Sequence, residues 1–155
     1  MNIMSKMRLF FLCVPILLLN LSCFEDKDKV KIINEDLFEV DRENEKIKLA
    51  VKEAQENLDH FIDKFKQHSQ DTMYWFSAKT PFESETMIEH MWFMPLEYES
   101  GAFKGILINE PRWVNSVKMG DTIYIDRKNI EDWYISNESL SLEEGGFTDK
   151  YLFNE

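Results

Sequence analysis

Cysteine is nearly absent from the 155 residues: only Cys13 and Cys23 occur, both near the N-terminus. That scarcity excludes a disulfide framework and a CxxC-type zinc site, which need several cysteines within the domain. Histidine is as scarce, with His60, His68 and His90 alone. His60 and His68 stand two helical turns apart, about 12 Å, too far to share one ion. No HExxH is present, and this reading expects no metal and no cofactor. With five glycines and four prolines, the chain holds no GxxxxGK[ST], GxGxxG or GxSxG. A phosphate loop and a nucleophile elbow are therefore unsupported. Positive charge is short as well: 18 Lys+Arg against 29 Asp+Glu give a net charge of −11. Nucleic-acid affinity comes largely from Lys and Arg on phosphates, so no nucleic-acid partner is expected. Docking on an anionic membrane surface is disfavoured for the same reason. No apolar run reaches the roughly 20 residues that a bilayer-spanning helix needs.

What is present begins with an address. Lys6 and Arg8 precede an apolar run from Leu9 to Leu19, followed by Leu21-Ser22-Cys23. A basic start, a short apolar stretch and a candidate cleavage point read as an export signal. The arrangement resembles a bacterial lipoprotein signal peptide, in which Cys23 is diacylated on sulfur and becomes the new N-terminus. Asn20 and Leu21 depart from the residues usual at those two positions; a plain secretory signal and an uncleaved anchor are the alternatives. On the lipoprotein reading residues 1–22 are the signal peptide, 23–37 the lipidated cysteine and a charged tether, and 38–155 a single domain. Removing the signal takes Lys6 and Arg8 but no acid, leaving 16 basic against 29 acidic side chains, a net −13. The expected location is the bacterial cell envelope, at the outer membrane or a periplasmic face.

Val30 to Val40 reads either as a short strand or as tether. From Asp41, read as the N-cap, the period turns helical: Ile47, Ala50, Val51, Ala54, Leu58, Phe61, Ile62 and Phe65 recur at steps of three and four. One long amphipathic helix is expected, fading between Gln67 and Asp71. Strand character follows in Met73–Lys79, bounded by Thr80-Pro81, then in Ile88–Tyr98, Ala102–Asn109, Thr122–Asp126 and Trp133–Ser136. Glu99-Ser100-Gly101 and Met119-Gly120-Asp121 are turns, Arg127–Trp133 is long enough for one helical turn, Asn137–Glu144 is polar, and Gly145-Gly146-Phe147-Thr148 is a tight turn. The order gives an α+β domain: one long N-terminal helix on a curled antiparallel sheet of about four to five strands.

Several short motifs fall in a recognisable order: Glu89-His90-Met91-Trp92, Phe103-Lys104-Gly105-Ile106-Leu107, Asn109-Glu110-Pro111, Lys118-Met119-Gly120-Asp121, Ile130-Glu131-Asp132-Trp133 and Gly145-Gly146-Phe147-Thr148. With Ala50-Val51, Ala54, Leu58 and Phe61 on the helix, this order resembles the YegJ-like family of bacterial domains of unknown function. The resemblance covers about residues 38 to 150. It implies an α+β architecture on an exported or lipid-anchored chain, and no established activity, substrate or cofactor.

The residues that invite a function are Glu89, His90, Trp92, Asn109, Trp113, Asp132 and Trp133. Adjacent strand residues point to opposite faces, so Glu89 and His90 cannot act on one atom without a bulge. His90 is read either as a buried neutral histidine with a hydrogen bond or as a site residue. Asp132 is read either as the cap of a backbone amide at a helix–strand junction, with Trp133 filling the open end of the sheet, or as a polar group in a groove lined by Trp92, Trp113 and Trp133. A glycosidase pair of Asp132 and Glu89 needs a separation that sequence does not give. Met91 and Met94 fall on opposite faces of one strand and read as filling rather than as a copper ladder.

The function expected from this sequence is a non-enzymatic, lipid-anchored envelope domain that binds another macromolecule through an acidic, aromatic-bearing surface. A chain this acidic favours basic protein partners and speeds association with them, an immunity- or inhibitor-like role being one case. The alternative is a module for a small ligand or glycan in a tryptophan-lined groove. A hydrolase, with His90 and Asp132 as the residues to mutate first, is the third.

Overall fold

The computed structural model describes residues 30–34, 37–40, 44–85 and 87–153. The expected signal peptide, Cys23 and Asp41 lie outside the described residues. Val30–Asn34 (β1) and Leu37–Val40 (β2) pair antiparallel as a separate two-stranded hairpin, which resolves the ambiguous stretch in favour of strands. Two helices follow, Glu45–Glu56 (α1) and Leu58–His68 (α2). Six strands then form one antiparallel sheet: Trp75–Glu83 (β3), Ile88–Glu99 (β4), Ala102–Leu107 (β5), Thr122–Asp126 (β6), Asp132–Asn137 (β7) and Leu142–Gly145 (β8). Their spatial order is β6-β5-β4-β3-β7-β8, and Phe147–Phe153 (α3) closes the described chain. No helix among the described residues is long and apolar enough to cross a membrane.

The α+β class holds, with three corrections. The main sheet has six strands rather than four to five, because the polar stretch after Asn137 makes a single 3-10 turn, Glu138–Leu140, and returns as β8. The single long helix is two shorter ones. Asn57 interrupts it: its side-chain amide and its backbone N–H both donate to the Glu53 carbonyl, at 2.9 and 3.1 Å. An asparagine inside a helix competes with the backbone in this way. The third correction is the N-cap, which is Asn44. Its Oδ1 accepts from the N–H groups of Lys46 and Ile47 at 3.0 and 3.1 Å, two donors that the helix itself leaves unpaired.

Pro81 does not end its strand, as the sequence led us to expect. β3 pairs with β7 only as far as Lys79 opposite Asp132, so by residue 81 no described strand pairs on that side. β4 continues along the other side, with Pro81 opposite His90. A residue without an N–H is tolerated where no donor is needed. Ser100 and Gly101 turn β4 into β5 with φ of 52° and 83°, the doubly positive pair that a two-residue hairpin loop favours.

One face of the sheet presents Phe76, Ala78, Met91, Phe93, Phe103, Leu107, Ile123, Trp133 and Ile135, all buried. The apolar stripe of the helices covers it with Ala54, Leu58, Phe61, Ile62 and Phe65. Phe61 is central, with ring centroids 5.9 Å from Phe76, 5.9 Å from Phe103 and 5.5 Å from Trp133. Alternation along each strand sends the intervening residues to the opposite face. Among the described residues no helix crosses that face; α3 meets only its corner, at Lys79 and Asp132.

Candidate functional site

The helix-free face carries most of the polar and aromatic residues with no evident part in the core. Trp92 on β4 stands opposite Lys79 on β3, which stands opposite Asp132 on β7. Met94, Ile106 and Thr122 form a second row across β4, β5 and β6, and Glu97, Lys104 and Tyr124 a third. Trp75 stands opposite Ser136, which stands opposite Glu143. Trp75 is 46% exposed and Tyr124 72% exposed. Trp75 lies four residues from Lys79 along β3, so it and Trp92 are about 13 Å apart on one face.

The corner around Trp92 is tied tightly. Lys79 Nζ donates to Thr148 Oγ1 at 3.1 Å and to Asp149 Oδ1 at 2.7 Å, and it sits 4.8 Å from the centroid of the Trp92 ring. The Trp92 N–H donates to Asn109 Oδ1 at 2.5 Å, so Asn109 extends the hold on β4 beyond the end of β5. His90, two residues from Trp92 on the same face, pairs through Nδ1 with the Glu131 carboxylate. Its side chain is half exposed, which corrects the buried reading of this histidine.

Asp132 is fully buried. Its Oδ1 accepts from the N–H groups of Trp133 at 2.7 Å and Phe147 at 3.0 Å. Its Oδ2 accepts from the Thr148 N–H at 2.8 Å and the Thr148 hydroxyl at 2.6 Å. The carboxylate thus caps the first turn of α3, where the helix dipole favours negative charge. With both oxygens doubly engaged, it has no lone pair to offer a substrate, and the hydrolase and glycosidase readings lose their acid.

Glu89 turns the other way and accepts from the backbone N–H groups of Arg112, Trp113 and Val114, at distances from 2.9 to 3.3 Å. It fixes the loop that carries Trp113 (38% exposed) and the buried Val114. Trp133 is 2% exposed and belongs to the core. Its Nε1 donates to the Ala54 carbonyl at 2.9 Å, in the last turn of α1 before the break at Asn57. The structure therefore brings His90, Trp92 and Asp132 to one corner, holds Asn109 behind Trp92, places Glu89 and Trp113 at the neighbouring loop and removes Trp133 from any groove. Trp75, Lys79, Glu131, Tyr134 and Thr148 escaped the sequence reading as site residues. Trp75 and Lys79 share the parity of Pro81 along β3; only the β3–β4 register puts that parity beside Trp92.

Tyr134 also lies on this face. Burial, and then the Glu143 carboxylate that accepts a hydrogen bond from its hydroxyl, push its phenol above the usual tyrosine range. A folded value above the unfolded one means that the contribution of the neutral phenol is intact below the unfolded pKa and is lost as pH rises through the folded value. Alkaline unfolding of the wild type is therefore expected to be steeper from about pH 10 upward than that of Tyr134→Phe. Parallel Tm–pH curves would contradict the assignment.

Among the described residues no group of three or more His, Cys, Asp and Glu side chains is arranged to hold a metal ion. No solved structure gives a significant match to the chain. An Escherichia coli (strain K12) relative described as "Uncharacterized protein YegJ" is 31% identical over 100 residues, which cover 64% of this chain and 61% of the relative. The chain thus spans about three fifths of the length of the curated relative it matches. A family model described as "Uncharacterized protein conserved in bacteria (DUF2314)" matches residues 44–155, from the N-cap of α1 onward, and the chain belongs to that family.

Proposed function

We propose that the chain is a non-enzymatic binding domain whose helix-free sheet face takes a basic macromolecule at the bacterial envelope, where a lipid on Cys23 holds it. The observation that carries this reading is the exposure of Trp75 and Tyr124 on a face that no described helix covers. Large aromatics on an open surface, bordered by polar residues, are typical of binding energy held in reserve. Glu83, Glu97, Asp126 and Glu143 on the same face outnumber Lys104, which is itself paired with Glu97 at 2.8 Å. Lys79 is spent on Asp149. The acid excess supplies steering toward a basic partner, and the aromatics supply contact area. An immunity- or inhibitor-like role fits such a surface.

Affinity capture from envelope extract tests this, with wild type and Trp75→Ala/Tyr124→Ala compared at low and high salt. One basic protein held by the wild type at low salt, released at high salt and absent from the variant eluate is the expected result. Equal recovery on both forms would remove the sheet face from the account.

The glycan reading keeps a foothold in the exposed Trp75 beside Ser136, now without Trp133. It expects cell-wall fragments to quench the emission of the exposed tryptophans, and it fails if the spectrum does not move.

A further inference from the structure

An open sheet edge presents unpaired N–H and C=O groups that another strand can take up. β8 is the outer strand on one side of the sheet. The Gly146 N–H donates to the Trp133 carbonyl at 2.8 Å, and the register Tyr134 to Gly145 sets these two residues opposite one another. Bonded pairs alternate in an antiparallel ladder, so Leu142 and Glu144 turn their backbone groups to β7 while Glu143 turns its N–H and C=O to the outer edge, which no described strand covers. Beside Glu143 the connection from β7 folds back through the 3-10 turn and Ser141, at φ 49°. The fold-back leaves a cleft of about 520 Å³ lined by Tyr134, Ser136, Asn137, Glu138 and Glu143 among others. None of its lining side chains is cationic. Asn137 Oδ1 is already occupied by the Ser139 hydroxyl and the Leu140 N–H. The Glu138 carboxylate is exposed at the rim, and the Glu143 carboxylate accepts from the Tyr134 hydroxyl.

We propose that an extended, arginine- or lysine-bearing segment of a protein partner adds to the edge of β8 and seats a cationic side chain in this cleft. The proposal rests on the reading that the ligand is a basic macromolecule, and it names where and how that ligand is held. Strand addition supplies main-chain hydrogen bonds, and a pocket for alternate side chains supplies selectivity. Glu138 and Glu143 supply the countercharge, with the Tyr134 ring beside them for a guanidinium. A second copy of this chain, at −11, meets like charge at the same edge and does not fit.

The test uses the full chain in mild detergent and a synthetic peptide of about ten residues, five repeats of a strand's two-residue alternation, in which Arg alternates with Thr. The same peptide with Glu for Arg is the control. The Arg peptide is expected to bind, to slow exchange of the Glu143 amide and to lose affinity about tenfold or more toward Glu138→Lys/Glu143→Lys. Where the variant does not fold, the amide map of the wild type decides alone. Binding that leaves the Glu143 amide unprotected and shifts Trp75 and Trp92 instead overturns the strand-addition proposal and leaves the basic-partner reading standing. No binding of the Arg peptide at low salt, together with no salt-released protein in the capture experiment, overturns both.

Discussion

Asp132→Ala is expected to lower stability by about 3–5 kcal/mol, since it strands buried donors that share one charged acceptor. The N–H groups of Trp133, Phe147 and Thr148 and the Thr148 hydroxyl all point at that carboxylate. The same substitution frees Thr148, which also accepts from Lys79, so the bond that fixes Lys79 over Trp92 loosens with it. A domain of this size converts the loss into a Tm drop of roughly 10–20 °C. Amide exchange along α3 should rise before that of β3 to β5, because α3 is held at its first turn by Asp132. Asp132→Asn retains one acceptor oxygen but turns an amide toward N–H donors, and about half the loss is expected from it. Thermal unfolding of the three proteins checks the order wild type, Asn, Ala; an unchanged Tm for Asp132→Ala would show that the carboxylate does not hold α3.

Trp133→Ala is the second large effect, about 3–5 kcal/mol by denaturant titration. The indole meets Phe61 at 5.5 Å, Phe147 at 5.3 Å and His60 at 6.1 Å between ring centroids, so its removal opens a cavity between α2, α3 and β7. Trp133→Phe refills much of that volume yet leaves the Ala54 carbonyl without the indole donor. A loss of about 1–3 kcal/mol is expected from that orphaned acceptor. Equal losses for Phe and Ala would mean that the hydrogen bond, not the volume, decides. In the wild type, Trp133 should resist aqueous quenchers while Trp75 and Trp113 are quenched readily, as their 46% and 38% exposures require.

The fold was legible where one periodicity dominates. The stripe from Ala54 through Phe65 placed the helical face on the core, and the alternation along β4 set Met91 and Phe93 apart from Trp92 and Met94, as far as the register shift between Pro95 and Glu97. It failed where tertiary contacts outrank local pattern. Nothing local in Leu142-Glu143-Glu144-Gly145 favours a strand; pairing with Asn137 to Tyr134 makes it one. Phe147 to Phe153 is too short to form a helix by itself, and the buried Asp132 carboxylate supplies its cap from another strand. The break at Asn57 is readable afterwards, since asparagine is a poor helix interior residue, but the eight apolar residues in phase from Ile47 to Phe65 mask it. At the candidate site, the capping alternative for Asp132 is the one its four hydrogen bonds describe. The tryptophan trio failed for a plainer reason: parity along a strand fixes which side chains share a face, not which face is covered. Trp133 and Trp92 belong to different strands, and only the register through Ala78 and Lys79 shows that they point apart.

That covered and uncovered faces divide the labour is the central claim, and oxidative footprinting of the full chain with and without its captured partner measures it most directly. Trp75, Trp92, Met94 and Tyr124 are expected to lose labelling in the complex, while Leu49, 63% exposed on α1, keeps it. Protection of Leu49 with undiminished labelling of Trp75 and Tyr124 would place the working surface on the helical layer and contradict the account.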